Sequence, residues 1–268
     1  MKKTVYIKLF AGLGNQLFQY AYGQYLVQQG YAVRYILNRS PSDLLSVFCV
    51  DDSRRSLICA PRGASKKALL FIKKLIAKFV IRDYRTGFYQ QAFYSDCFKE
   101  KPLGKLGLSF LHEAEYMHTP EYKDIHSCTA VSLHIRGGDY LQEPSYAGVC
   151  TAEYYKNAVR YIKRHIPDTV FFIFTNDKQY AQNTLQCLLK TDLKSVRFIF
   201  NSVFDGDPGF DLFLMKSCKH HIIANSTFSW WGAFLNNKAD KIVVAPKNWT
   251  NNDDEDTINI CADNWIRI

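Results

Sequence analysis

The sequence lacks any apolar stretch long enough to cross a bilayer before a charge interrupts it, which argues against a membrane-spanning helix. It lacks internal repeats, low-complexity tracts and any collagen-like or disordered bias, so a solenoid, a fibre and an unstructured chain are all set aside. It also lacks a Cys-x-x-Cys pair. Its eight cysteines, at 49, 59, 97, 128, 150, 187, 218 and 261, are scattered, which speaks against a zinc site and suits free thiols in a reducing compartment. On that reading the sequons at Asn38, Asn225 and Asn248 are coincidental. No cleavable leader is expected either. Lys2 and Lys3 imitate one, but Lys8 breaks the apolar run and no small-residue cleavage site follows. The opening reads instead as a β-strand running into a glycine turn, and the expectation is a mature, cytoplasmic protein.

What is present is a globular composition. Of 268 residues, 47% are hydrophobic and 22% charged, enough to build a buried core in one large domain or two small ones. The net charge is +9, and most of it is local: residues 62–85 hold eight basic residues and one acid. At helical spacing Leu69, Ile72, Ile76, Phe79 and Val80 share one face, and Lys67, Lys74, Lys78, Arg82 and Arg85 another. Two readings stand. The segment is a docked surface helix with a solvated basic side, or a helix that makes peripheral contact with anionic lipid on the inner face of the membrane. No aromatics interleave the basic residues and no nucleic-acid motif accompanies them, so no nucleic acid is expected as a partner.

Strand-like and helix-like segments alternate along the chain. Thr4–Phe10 reads as a strand, Asn15–Gln29 as a helix ending at Gly30, and Tyr31–Leu37 as a second strand, with 38–64 irregular. After Cys128 the alternation sharpens. Strands are expected at Thr129–Ile135, Val170–Phe174, Val196–Phe200, His220–Ala224 and Lys241–Ala245. Helices are expected at Ala152–His165 and near 178–190, 209–218 and 227–236. Such alternation predicts an α/β protein with parallel sheets and right-handed crossovers. The least regular stretch, 99–127, places a boundary between units 1–120 and 121–268.

In open α/β sheets ligands bind beyond the carboxyl ends of the strands, and three motifs fall there. Gly12-Leu13-Gly14-Asn15-Gln16 is a glycine turn opening a helix, able to turn backbone N–H groups toward an anion; alone, it is also a plain βα turn. His134-Ile135-Arg136-Gly137-Gly138-Asp139-Tyr140 delivers an arginine suited to two oxygens of a diphosphate, or an Arg–Asp ion pair at a turn. Asn225-Ser226-Thr227-Phe228-Ser229 puts a run of polar groups at a helix start, where Ser226 or Thr227 can cap the helix. Asp205-Gly206-Asp207 imitates a metal-binding Asp-x-Asp, but beside Pro208-Gly209 it reads as a turn into a helix. The acidic run Asp253–Asp256 reads as a solvated loop.

Together these segments resemble the α-1,2-fucosyltransferase family, glycosyltransferase family 11. AGLGNQLFQYAYG is similar to its G-G-L-G-N-Q-F/L/M-F-Q-Y-A opening, VSLHIRGGDY to its H-x-R-R-G-D-Y signature, and FFIFTND to its F-x-F-S-D-D segment. DLFLMKSCKHHIIANSTFSWWGAFLN resembles its D-L-x-L-M-x-x-C…I-A-N-S-T-F-S-W-W-x-A-x-L block, and the ending KIVVAPKNW…NWIRI also fits. The departures are Ala11 for the first opening glycine, Gly137 for the second arginine, and Thr175-Asn176 for Ser-Asp.

The resemblance implies a GT-B fold of two Rossmann-like domains, an acceptor side in the first half and the nucleotide in the second. It implies inverting transfer of L-fucose from GDP-fucose to a galactose 2-hydroxyl of a surface glycan or lipid-linked oligosaccharide, with no metal and no cofactor beyond the GDP-fucose co-substrate. The expected donor site comprises His134, Arg136, Asn225, Ser226, Thr227, Gly12, Gly14 and Asn15, with Asp177 or Asp211 reading the guanine donors. Arg136, helix amides and hydroxyls meet the charge of the departing phosphate. Asp139 is the first candidate for the general base, unless it only orients Arg136, and Glu143 is the second.

Overall fold

The computed structural model describes residues 3–37, 44–51, 57–59, 84–85, 87–91, 97–186, 195–199, 203–252 and 260–268. The acidic run Asp253–Asp256, the end of the helix expected to reach 190, and all but the last residues of the basic segment 62–85 lie outside them. In chain order the described elements are β1 Thr4–Leu9, α1 Leu13–Gln28, β2 Ala32–Leu37, α2 Leu44–Val47, β3 Phe48–Val50, β4 Leu57–Cys59, β5 Tyr84–Arg85, α3 Pro102–Leu106, β6 Leu108–Phe110, α4 Glu113–Met117, α5 Pro120–His126, β7 Thr129–Ile135, α6 Ala152–His165, β8 Thr169–Thr175, α7 Lys178–Thr184, β9 Val196–Phe198, α8 Pro208–Ser217, β10 His220–Ile222, α9 Thr227–Phe234, β11 Val243–Ala245 and β12 Ile266–Arg267.

Two parallel sheets form. The first has the order β4-β2-β1-β5, with β1 and β2 in register from Thr4 opposite Ala32 to Leu9 opposite Leu37. The second has the order β12-β11-β10-β7-β8-β9. Its central strands β7 (TAVSLHI) and β8 (TVFFIFT) are apolar almost throughout because both faces are covered. In each sheet the chain builds outward on one side, then returns to the other side of the first strand. The order therefore reverses between β1 and β5, and again between β7 and β10, and a crevice opens at such switch points. The loops after β1, β7 and β10 carry the three motifs.

One apolar cluster runs through both halves, and a second fills the space between β7, β8 and α6. At the centre of the first, Phe18 of α1 packs its ring 4.6 Å from that of Trp230 and 5.1 Å from that of Trp231, both in α9. The helices converge further at their N-termini. A methyl group built on Gly14 would lie 2.5 Å from the carbonyl carbon of Thr227 and 2.6 Å from the Phe228 nitrogen, so the two backbones touch because residue 14 has no side chain. The tryptophans belong to the core, and the hydroxyl run before them is left at the rim.

Two stretches differ from expectation. Residues 38–64, expected to be irregular, contain α2, β3 and β4. Residues 99–127, expected to be the least regular, contain α3, β6, α4 and α5, with β6 pairing antiparallel to β3. These elements are three to seven residues long and are held by what they pack against. Phe48 and Phe110 pack across the β3–β6 ribbon with ring centroids 4.7 Å apart, and Phe110 meets Phe213 of α8 edge-on at 5.3 Å. Asp205-Gly206-Asp207 is the expected turn: Asp207 caps α8, its Oδ1 accepting from the Gly209 N–H at 2.8 Å. Among the described residues no helix is long and apolar enough to cross a membrane, and Cys49, Cys97, Cys128, Cys150, Cys218 and Cys261 are free thiols.

Candidate active site

The loops after β1, β7 and β10 enclose a cleft of about 490 Å³, within the range of small-ligand sites. Arg136 is the one Lys or Arg among the described residues that line it. Its Nη2 donates to Asp139 Oδ1 at 2.8 Å and to Oδ2 at 3.1 Å, and the guanidinium lies 4.9 Å from the Tyr140 ring centroid. The side chain is thus held from two sides by residues three and four positions on. Tyr140 in turn hydrogen-bonds Ser226, tying the β7 loop to the β10 loop; burial, the largest cause, pushes its phenol up to about 12.

Positive potential also comes from backbone. Helices α5, α6, α7 and α8 are capped by the side chains of Thr119, Thr151, Asp177 and Asp207. Helices α1 and α9, which point their N-termini at the cleft, are not: Gly12 and Ser226 sit at the capping positions and make no side-chain cap bond. Neither helix has an acidic residue in its first turn. Two helix starts with N–H groups left to a ligand meet at Gly14 and Thr227, beside the arginine.

Two neighbouring groups have displaced titration. Burial, then the charge of Arg136, lowers the His134 imidazole to about 3, so it is neutral at any ordinary pH and a weak base. Its Nδ1 and the Nε of Arg136 are buried without a hydrogen-bond partner. On the opposite wall, burial raises the Asp211 carboxyl from 3.8 to about 7, with the charges of Asp205 and Asp207 adding to the effect. Among the described residues no cluster of three or more His, Cys, Asp or Glu is arranged to hold a metal ion.

The sequence profile of glycosyl transferase family 11 matches residues 91–268. The chain belongs to that family. An alpha-1,2-colitosyltransferase of Escherichia coli is 28% identical over 98% of both chains, and the O-antigen biosynthesis glycosyltransferase WbnK of Escherichia coli is 29% identical over 98% of this chain and all of its own. A galactoside alpha-(1,2)-fucosyltransferase 1 of Rattus norvegicus is 29% identical over 40% of this chain and 28% of its own. Among solved structures, an Arabidopsis thaliana FUT1 mutant in complex with GDP superposes with a TM-score of 0.54 at 12% identity, covering 94% of this chain and 72% of that one. Escherichia coli ADP-heptose heptosyltransferase II does so with 0.52 at 13%, covering all of this chain and 90% of that one. The fold is of GT-B type, with two parallel sheets meeting at a cleft, and the chain is a glycosyltransferase.

In this family 11 enzyme the cleft gathers Gly12, Gly14, Asn15, His134, Arg136, Asp139, Asp211, Ser226 and Thr227. Three other expected residues stand apart from its wall. Asp177 caps α7, its Oδ1 accepting from the Tyr180 N–H at 3.0 Å. Asn225 is a buried strut: its Nδ2 donates to the Trp249 carbonyl at 3.1 Å and its Oδ1 accepts from the Cys150 thiol at 3.4 Å. Glu143 Oε1 accepts from the Ser145 N–H at 3.4 Å within its own loop. Of Asp177 and Asp211, the two expected guanine readers, Asp211 is the one that lines the cleft. Sequence reasoning passed over Tyr140 and Asn176 as site residues. Asn176 clamps the arginine loop, its Oδ1 accepting from the Gly137 N–H at 2.9 Å and its Nδ2 donating to the Gly137 carbonyl at 3.3 Å. Its place at the end of β8, beside the β7 motif, was the available signal.

Proposed function

We propose that this enzyme transfers L-fucose from GDP-β-L-fucose to a sugar hydroxyl, a galactose O2 in α-1,2 linkage, with inversion and without a metal ion. The observation that carries the proposal is the convergence of two helix starts without side-chain caps on the single cleft arginine. Such a site suits a diphosphate. Two likenesses support fucose as the sugar: the rat protein is named a galactoside fucosyltransferase, and one superposing structure, POFUT1, is described in complex with GDP-fucose.

In the reaction the acceptor oxygen bonds to the anomeric carbon as the bond from that carbon to the β-phosphate oxygen breaks. Its electron pair leaves with GDP, whose charge grows by one. Arg136, the α1 and α9 amides and the Thr227 hydroxyl meet that charge. The acceptor proton passes to Asp139. Because Asp139 holds Arg136 through both oxygens, its neutralisation frees the guanidinium for the phosphate as the negative charge appears there.

Arg136→Ala tests the donor half. Losing a charge-assisted contact worth about 1.5–3 kcal/mol weakens GDP binding roughly 10- to 150-fold by calorimetry. A variant that binds GDP like the wild type removes Arg136 from the phosphate site. A second reading, colitose in place of fucose, is favoured by the near-complete coverage of the colitosyltransferase. A thermal-shift screen of nucleotide sugars, followed by NMR of the product, separates the two.

A further inference from the structure

Beside the charged cleft lies a second cavity of about 190 Å³. Its described lining holds no Asp, Glu, Lys or Arg. The rings of Phe88, Tyr140, Tyr146 and Trp249 face it together with the amides of Gln90 and Asn252. Asn15, Tyr140 and Thr227 line both cavities, so the two meet where α1 and α9 converge.

The walls are already in place. Tyr140 and Tyr146 stack with centroids 4.6 Å apart and planes at 19°. Gln90 Nε2 donates to Asn15 Oδ1 at 2.8 Å, fixing the 87–91 segment to the glycine turn. Asn252 Nδ2 donates to Ser145 Oγ at 3.2 Å, and Asn251 Nδ2 donates to the Pro144 and Ala147 carbonyls at 2.8 and 2.9 Å, fastening the loop after Trp249 to the loop after Tyr140.

We infer that this cavity is the acceptor subsite and that it takes one uncharged pyranoside ring, an inference that rests on the transferase reading above. Amides that donate and accept match hydroxyls that do both, and aromatic faces match the C–H face of a sugar. An anionic sugar would lose water there and find no cation among the described lining residues, which disfavours uronic and sialic acids as the ring that is bound. The volume is below the roughly 300–1,000 Å³ of a full ligand pocket, so the rest of an acceptor chain lies outside. Asn15 and Thr227 then mark where the acceptor hydroxyl reaches the anomeric carbon.

Saturation-transfer NMR on the full chain, with and without GDP, tests this with methyl β-D-galactopyranoside, methyl β-D-glucopyranoside and methyl β-D-galactopyranosiduronate. At least one neutral glycoside binds, and the uronate binds about tenfold more weakly or not at all. Phe88→Ala, which truncates an exposed ring, weakens the neutral glycoside about tenfold and leaves GDP affinity within about twofold. Asn252→Ala, on the opposite wall, weakens it in the same way. The inference is overturned by a uronate that binds as well as the galactoside, by affinities unmoved in both variants, or by no neutral glycoside binding at all. Failure of the donor reading shows elsewhere, as GDP binding untouched by Arg136→Ala, and leaves these glycoside titrations to stand or fall alone.

Discussion

Exchanging Asp211 for asparagine removes a carboxyl that the fold holds against ionisation. In the first turn of α8, burial and the nearby Asp205 and Asp207 raise it from 3.8 to about 7. Below the unfolded value both folded and unfolded chains carry the proton, and the group costs nothing. As pH rises through 3.8 the unfolded chain releases the proton while the folded chain keeps it, so stability drains away until the folded group also ionises near 7. Above that the loss is complete. About three pH units at ~1.4 kcal/mol each set an upper bound of ~4 kcal/mol. The carboxyl keeps one side on the cleft, and a helix start favours its charged form by about 0.3–1 kcal/mol, so ~2–4 kcal/mol is expected. The asparagine side chain has the same shape and no charge. In urea at pH 8 the variant therefore unfolds at a midpoint about 1 M higher than wild type, taking a slope near 3 kcal/mol/M, and the advantage shrinks below ~1 kcal/mol near pH 4. An offset that stays constant between these pH values refutes the reasoning. The same proton reaches the ligand. In the proposed complex Asp211 meets the guanine N1–H and N2–H₂ groups as a carboxylate, so below about pH 7 GDP affinity falls about tenfold per unit. Asp211→Asn abolishes that slope, and a slope that survives in the variant removes Asp211 from donor recognition.

Three further outcomes are expected. Ala11 stands at φ 64, the left-handed region that costs an L-residue about 1 kcal/mol, so Ala11→Gly raises the melting temperature by about 2–4 °C, and an unchanged or lower melt contradicts the strain. Gly14→Ala drives a methyl into the backbone at Thr227, so it destabilises by about 1–3 kcal/mol and lowers GDP affinity and turnover together, as melts and calorimetry will read. Turnover in excess EDTA stays within about twofold of the metal-supplemented rate, because amides and Arg136 supply the positive potential; a collapse that magnesium restores defeats metal independence.

The long elements were legible because their buried faces extend over many residues. Thr129–Ile135 and Ala152–His165 match residue for residue. The strands β3, β4, β5 and β6 have two or three residues, too few to show a period, and exist through pairing with partners far along the chain. At the site, the residue types that suit a diphosphate were legible and their division of labour was not. Asp177 and Asn225 sit one or two residues from cleft-lining positions, yet a helix cap and a buried strut claim their polar atoms. Whether a side chain faces a ligand or its own backbone is decided by a rotation about the chain that composition does not record.

The same division of labour bears on Gly137, the departure that most invites the idea of a silent, merely sugar-binding relative. A Cβ at residue 137 would lie 2.7 Å from the Cβ of Asp177 and 3.0 Å from the Tyr180 ring, so this loop has no room for the second arginine of the family pattern. The other departure, Asn176 for aspartate, occupies the same contact. Its amide accepts from the Gly137 N–H and donates to the Gly137 carbonyl, and a carboxylate cannot do the second. The two changes remove one positive and one negative charge together and leave the local net charge as the pattern has it, and Asn176 clamps the Gly137 backbone. The clamp fixes the loop that carries Arg136 and Asp139, the residues from which the proposed chemistry departs. Gly137 thus fits a loop whose clamp by Asn176 holds the arginine in position, and it gives no ground for reading the site as catalytically silent.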